Sequence, residues 1–180
     1  KVNWLYDLPK GGWANPLVKA ALNDWQLSGI ASFISGAPSG IGLNTTTSVD
    51  FTGSPTDGAR VVVARKPVLP KSQRTFDRYF DTSAFRMPAS GTFGNAAKTV
   101  IRGPGINNFD LAAYKNFALT ERARFQLRWE LYNAFNHTQF SALDTTARFD
   151  PAGAQVNQRF GQITNARLSR RMQWALRFTF

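Results

Sequence analysis

The sequence contains no cysteine and a single histidine, His137. Disulfide frameworks, thiolate metal sites and cysteine nucleophiles are thereby excluded. One imidazole among scattered carboxylates makes no metal cluster, so His137 reads as a loop-entry residue after Asn136. Glutamate is nearly missing as well, with Glu121 and Glu130 its two copies. Little glutamate beside many aromatic, Thr and Val residues favours strands over helices, and few or no helices of substance are expected. No run approaches the ~18 apolar residues that a spanning helix needs, which excludes crossing a membrane by helices. There is no nucleophile elbow and no phosphate-binding glycine loop ending in Lys-Ser/Thr. Catalytic residues, a bound metal and cofactors are therefore not expected, and the chain does not read as an enzyme.

What remains is one domain's worth of chain, 180 residues with 43% hydrophobic residues and a formal charge of +11. Such a charge suits nucleic acid, an anionic membrane surface or a basic channel lining. Only the position of the charges along the strands separates these.

The clearest element is the last. Met172, Trp174, Leu176, Phe178 and Phe180 alternate with Gln173, Ala175, Arg177 and Thr179, the period of a strand with one apolar face. A second run, Arg122 to Phe135, puts Ala123, Phe125, Leu127, Trp129, Leu131 and Phe135 on one face. Arg122, Arg124, Gln126, Arg128, Glu130 and Tyr132 fall on the other. Its length exceeds the five or six residues usual in soluble strands and approaches the ~9–11 of a tilted bilayer strand. Asn107–Leu119 has Phe109, Leu111, Ala113, Phe117 and Leu119 on one face with Lys115 the exception, and only Thr120-Glu121 separates it from the next strand. Trp25–Ser35 and Lys1–Leu8 complete the set.

The expected architecture is all-β: about five antiparallel strands, near 1–8, 25–35, 107–119, 122–135 and 171–180. Long, mostly irregular connections span 36–106 and 136–170, with Val61–Val63 a possible short strand. Connections of alternating length fit a transmembrane barrel with short periplasmic turns and long extracellular loops. With Phe180 at the periplasmic end, every long connection lands outside. Large aromatics such as Trp4, Tyr6, Trp25, Phe117, Trp129 and Trp174 would then meet lipid, several near strand ends where aromatic girdles sit. Five strands cannot close a barrel, since the smallest need about eight. The expectation is accordingly the C-terminal portion of a larger barrel in the outer membrane of a Gram-negative-type bacterium. Met172, Trp174, Leu176, Phe178 and Phe180 would serve as the assembly signal, and Arg124, Arg128, Glu130 and Arg177 would face the lumen, with cross-strand ion-pair ladders the default role.

Several segments together resemble one family. They are Phe93-Gly94-Asn95-Ala96-Ala97-Lys98, the run from Arg102-Gly103-Pro104-Gly105 to Asp110, Lys115-Asn116-Phe117, and Arg128-Trp129-Glu130-Leu131-Tyr132-Asn133-Ala134-Phe135-Asn136-His137. Phe160-Gly161-Gln162-Ile163-Thr164, Tyr6-Asp7-Leu8-Pro9, Trp25 to Ile30 and Ser35-Gly36-Ala37-Pro38 add to them. In this order they are similar to the TonB-dependent outer-membrane receptors of the Oar-like type, with Ala97-Lys98 a mild departure from Gly-Arg. The resemblance implies a 22-stranded barrel with an N-terminal plug, whose parent often carries a carboxypeptidase-regulatory-like domain. It also implies energised import of a solute that the sequence does not identify. Implied partners are outer-membrane lipid, the barrel assembly machinery through the last strand, and the TonB complex through a part outside this chain.

Two weaker readings stay in view. A structural or adhesive barrel would use its long loops for contacts and import nothing. A soluble, basic, β-rich nucleic-acid binder needs aromatics and arginines on one face; the two largest strands segregate them, so no nucleic-acid partner is expected. Asp77 and Asp81, which flank Arg78-Tyr79-Phe80, could form an acid–base pair in a buried cleft. With Arg74, Arg78 and Arg86 nearby, an ion-paired loop anchor is the expected role. Gly103-Pro104-Gly105 reads as a turn before a strand.

Overall fold

The computed structural model of the chain describes residues 1–54, 58–120 and 123–180. In chain order its elements are β1 (Val2–Asp7), α1 (Pro16–Leu22), β2 (Trp25–Ile34), β3 (Pro38–Ser39), β4 (Gly42–Thr45), β5 (Val62–Val63) and β6 (Phe85–Arg86). They continue as β7 (Ile101–Arg102), β8 (Ile106–Ala118), β9 (Arg124–Tyr132), β10 (Phe140–Leu143), β11 (Thr146–Phe149), β12 (Ile163–Ala166) and β13 (Arg171–Thr179). Two short 3-10 turns lie at Lys71–Gln73 and Thr82–Ala84. Among the described residues no helix is long and apolar enough to cross a membrane.

The chain divides into two compact units. The first is a five-stranded antiparallel sheet in the order β1-β2-β8-β9-β13. Its register aligns the alternating patterns. Trp4 stands opposite Gly29, Leu27 opposite Ala113, Leu111 opposite Leu131, and Trp129 opposite Trp174. Because directly opposed residues share a face, one apolar face runs over all five strands, interrupted at Lys115. The ring of Trp4 lies where a Cβ on Gly29 would come within 2.6 Å of it, so glycine at this position makes room for the indole. β9 ends at Tyr132 rather than at Phe135, because Asn133 adopts φ 51°, a left-handed conformation that a strand does not continue through. The turn into β9 closes with Leu119 N–H and Thr120 N–H donating to the Ala123 carbonyl. Glu121 and Arg122, expected at that hairpin, lie outside the described residues.

Few or no helices of substance are expected from the composition, and the connection between β1 and β2 holds a short one, α1. Asn15 caps it, its Oδ1 accepting from Leu17 N–H at 2.9 Å, and Pro16 occupies the first helical turn. Asn-Pro before Leu-Val-Lys-Ala-Ala-Leu was the local signal for it.

The second unit is built from the two long connections, 35–105 and 140–166. They are not loose loops. β4 from the first pairs in parallel with β11 from the second. Phe80 and Phe85 meet Phe160 edge-on, at centroid distances of 5.2 and 5.7 Å. Ile41, Val61, Ala84, Ala96, Ile101, Ala147 and Phe149 complete this core. Gly94 adopts φ +72°, and a Cβ there would fall 2.1 Å from the Arg60 carbonyl oxygen; only glycine satisfies both conditions. Gly36 is equally confined, since its Cβ would fall 1.7 Å from the Gly103 carbonyl oxygen.

Candidate functional site

Among the described residues, every fully buried hydrophobic side chain belongs to the second unit. The sheet is the reverse. Its buried residues include the polar Asn23, Ser32, Lys115, Asn133 and Gln139, while its apolar face is bare, with Trp174 63% and Leu176 67% exposed. Water does not tolerate an uncovered apolar face spanning five strands; hydrocarbon does, and a sheet whose apolar face points outward is the wall of a membrane barrel.

The aromatic residues mark the limits of that wall. Phe33, Phe109 and Phe135 cluster at one end, with Phe109 5.6 Å from Phe33 and 5.2 Å from Phe135. Phe117 and Phe125 pack at 6.0 Å toward the other, where Phe178 and Phe180 stack at 5.8 Å. From Phe109 to Phe117 the chain advances about 27 Å along the strand. At a tilt near 40° this becomes roughly 21 Å along the membrane normal, close to the ~25 Å apolar band of such barrels. Trp129 and Trp174 stack nearly parallel between the two clusters, at 5.3 Å.

The opposite face carries Arg124, Arg128, Glu130 and Arg177. Hydrogen bonds ladder it: Gln126 donates to Asn116 at 2.8 Å, Arg128 Nε to Gln126 Oε1 at 2.6 Å, and Tyr132 O–H to Glu130 at 3.2 Å. The Arg128 guanidinium also lies 5.6 Å from the centroid of the Tyr114 ring. No ion pair joins these four residues among the described ones. The register explains why the expected ion-pair ladder does not form. Arg128 faces Tyr114 and Ala175, Glu130 faces Ala112 and Gln173, and Arg177 faces Gln126, so opposite charges are never directly across from one another.

Lys115, the exception on the apolar face, is 2% exposed. Its ammonium donates to the Asn23 carbonyl and lies 4.8 Å from the Phe117 ring centroid. A cation on a lipid-facing wall is thus supplied with an oxygen acceptor from the connection that precedes β2.

In the second unit, Asp81 is the expected loop anchor, with one different partner. Its carboxylate accepts from Ser83 at 2.7 Å and pairs with Arg65 at 2.8 Å and Arg78 at 3.4 Å. The Ser83 hydroxyl, followed by Arg65, holds the Asp81 carboxyl below the usual carboxylate range against the opposing effect of burial. Arg65 lies 16 positions upstream of Asp81 and escaped a reading confined to neighbours. Arg74 bonds instead to the Leu69 carbonyl at 3.0 Å and the Tyr79 hydroxyl at 3.3 Å. Asp77 lines a separate depression with Arg78, Ser83 and Asn157.

Arg74 and Arg102 also line a pocket of about 330 Å³ with Val68, Leu69, Tyr79, Val100 and Ile101. Arg102 donates to the Gly36 carbonyl at 3.1 Å, so both guanidiniums are held by the backbone around an apolar hollow. His137 Nδ1 lies 2.8 Å from Gln139 Nε2, its backbone N–H bonds to Asn133 Oδ1, and no metal-holding cluster occurs among the described residues.

A family model described as an outer membrane beta barrel domain matches residues 1–173. No curated protein and no solved structure matches the chain.

Proposed function

The chain belongs to the outer membrane beta barrel domain family, and on that premise we propose that its barrel imports a solute as part of a TonB-dependent receptor. The outer membrane is its location, and lipid covers the apolar face of the sheet. Among the described residues β1 and β13 each pair on one side only; because unsatisfied backbone groups in hydrocarbon cost several kcal/mol each, both edges are, on this proposal, covered by other strands of the same barrel. The connections β2–β8 and β9–β13 leave one end of the sheet and β1–β2 and β8–β9 the other; on this reading the long pair lies outside the cell and the short pair in the periplasm. β13 offers the assembly machinery its alternating strand, and the TonB complex engages a part of the protein outside these residues.

The observation that carries the import reading is the character of the long connections. Adhesive or purely structural loops need no common core. Here two segments far apart in sequence share one, and the unit they build holds a concave pocket of ligand size with fixed guanidiniums. The motif resemblance to Oar-like receptors points the same way. A solute with an acidic or acceptor-rich end and an apolar flank matches the pocket lining.

The test is accumulation of solutes from defined medium by cells producing the intact protein. Uptake that stops when TonB is deleted or the proton-motive force is collapsed supports import. Normal accumulation under both conditions refutes it and leaves a structural or adhesive barrel.

A further inference from the structure

The connection between β1 and β2 does more than turn the chain. Trp25 and Lys115 stand opposite one another on the apolar face. Trp25 Nε1 donates to the Ala21 carbonyl at 2.8 Å, and Lys115 Nζ donates to the Asn23 carbonyl. Only a segment on the apolar side of the wall can offer carbonyls to both. The C-terminal end of α1 is therefore at the outer rim of the sheet, where the wall meets lipid. Asn23 locks this arrangement, its side-chain amide exchanging two hydrogen bonds with Gly11, at 2.9 and 3.1 Å.

The helix itself suits that place. At about 100° per residue, Leu17, Ala21, Val18 and Leu22 fill an arc of about 140°, with Lys19 outside it. No residue of α1 is buried by protein; Leu17 is 80% and Leu22 50% exposed, and Trp13 just before the helix is exposed too. The C-terminal end of this helix is tied through the Ala21 and Asn23 carbonyls to two residues of the apolar face. The charges complement it. Lys10, Lys19 and Lys115 all lie within electrostatic reach of one carboxylate, Asp24, which Lys10 contacts at 2.6 Å. With Lys10 paired to Asp24 and Lys115 bonded to the Asn23 carbonyl, Lys19 remains exposed on the polar side of the helix, facing the headgroup level.

We propose that α1, with Trp13, Lys10 and Lys19, is an interfacial anchor that binds anionic phospholipid of the inner leaflet. Leu17 and Leu22 enter the acyl boundary while the lysines take the phosphodiester charge. The inference rests on the orientation given above, with the short connections in the periplasm.

The test uses the intact protein, in a background free of other cysteines, carrying a nitroxide at Leu17→Cys or, as a wall reference, at Leu176→Cys. In vesicles of phosphatidylglycerol and phosphatidylcholine, both labels should be accessible to oxygen and shielded from an aqueous nickel chelate. Native mass spectrometry should show retained phosphatidylglycerol in preference to phosphatidylcholine. Near a membrane surface each lysine is worth about fivefold in affinity, so Lys10→Gln with Lys19→Gln should weaken that retention roughly 25-fold. Both lysines are exposed, and an unchanged heat-shifted band confirms that the variant folds. A nickel-accessible Leu17 label beside a lipid-exposed Leu176 label overturns the anchor and leaves the barrel standing. Water exposure at both sites overturns both readings. When lipopolysaccharide is added to the same vesicles, its retention in preference to phosphatidylglycerol places the connection in the outer leaflet and overturns the proposal together with the orientation. Unchanged phosphatidylglycerol retention in the double variant overturns the lysine contacts.

Discussion

The assignment of faces can be tested with two substitutions on one strand. β13 has nine residues, so Leu176 lies one residue from its centre and Gln173 two. Leu176 faces Leu127 on the apolar side, whereas Gln173 faces Glu130 on the other. An arginine at the lipid face costs about 2–4 kcal/mol at mid-membrane and about 0–1 kcal/mol near the interfaces. Successive residues advance only about 2.6 Å along the normal at a tilt near 40°, so Leu176 takes the mid-membrane cost. Leu176→Arg should therefore lower the folding equilibrium by roughly 30- to 1000-fold. Gln173→Arg instead meets Glu130 across the strands and should be neutral or stabilising by about 0.2–1 kcal/mol. The assay is urea unfolding of the intact protein in lipid vesicles, read as the fraction of heat-shifted band on unboiled gels. Equal loss in both variants, or greater loss for Gln173→Arg, would mean that the apolar face does not meet lipid, and the membrane argument would fail.

Other consequences follow from the second unit. Asp81→Asn removes charge-assisted bonds from Arg65 and Arg78 and should cost about 2 kcal/mol, seen as faster proteolysis of the long connections. The Asp81 carboxyl is held below its ordinary range, so its stabilising effect is complete above that range and is lost as pH falls through its depressed value. Protection factors against hydrogen exchange in this unit, taken relative to the intrinsic rate at each pH, should fall on acidification in the native protein, and Asp81→Asn should flatten that dependence; an unchanged acid profile of protection would refute the role of the carboxylate. Gly94→Ala forces a clash with the Arg60 carbonyl at positive φ and should cost more than about 3 kcal/mol. Gly12→Ala, with nothing within 4 Å of its Cβ, should change stability by less than about 1 kcal/mol, and similar protease sensitivity in the two would count against the packing described. Arg74→Ala and Arg102→Ala should weaken binding of an acidic solute to intact cells at least tenfold while leaving outer-membrane levels unchanged, which equilibrium binding with labelled solute would measure.

Period-2 alternation is a local property, and it was legible from the residues alone. In β13 and β9 each side chain's face follows from its parity, so the two-faced wall needed no structure to be read. The aromatic and β-branched bias, the lack of glutamate and the alternation of connection lengths are equally local. The same reading missed what depends on residues far apart. The pairing of β4 with β11 and the meeting of Phe80 and Phe85 with Phe160 join segments that each look irregular, because their apolar residues follow no single period. Register decided that Glu130 faces Gln173 and not an arginine, and a register is a relation between strands that neither strand contains. Lys115 shows the division most sharply. The sequence by itself marked it as the charge that breaks an apolar face; only the tertiary structure brings the Asn23 carbonyl to its ammonium, because a cation on the lipid side is stable where another part of the chain delivers an acceptor to it.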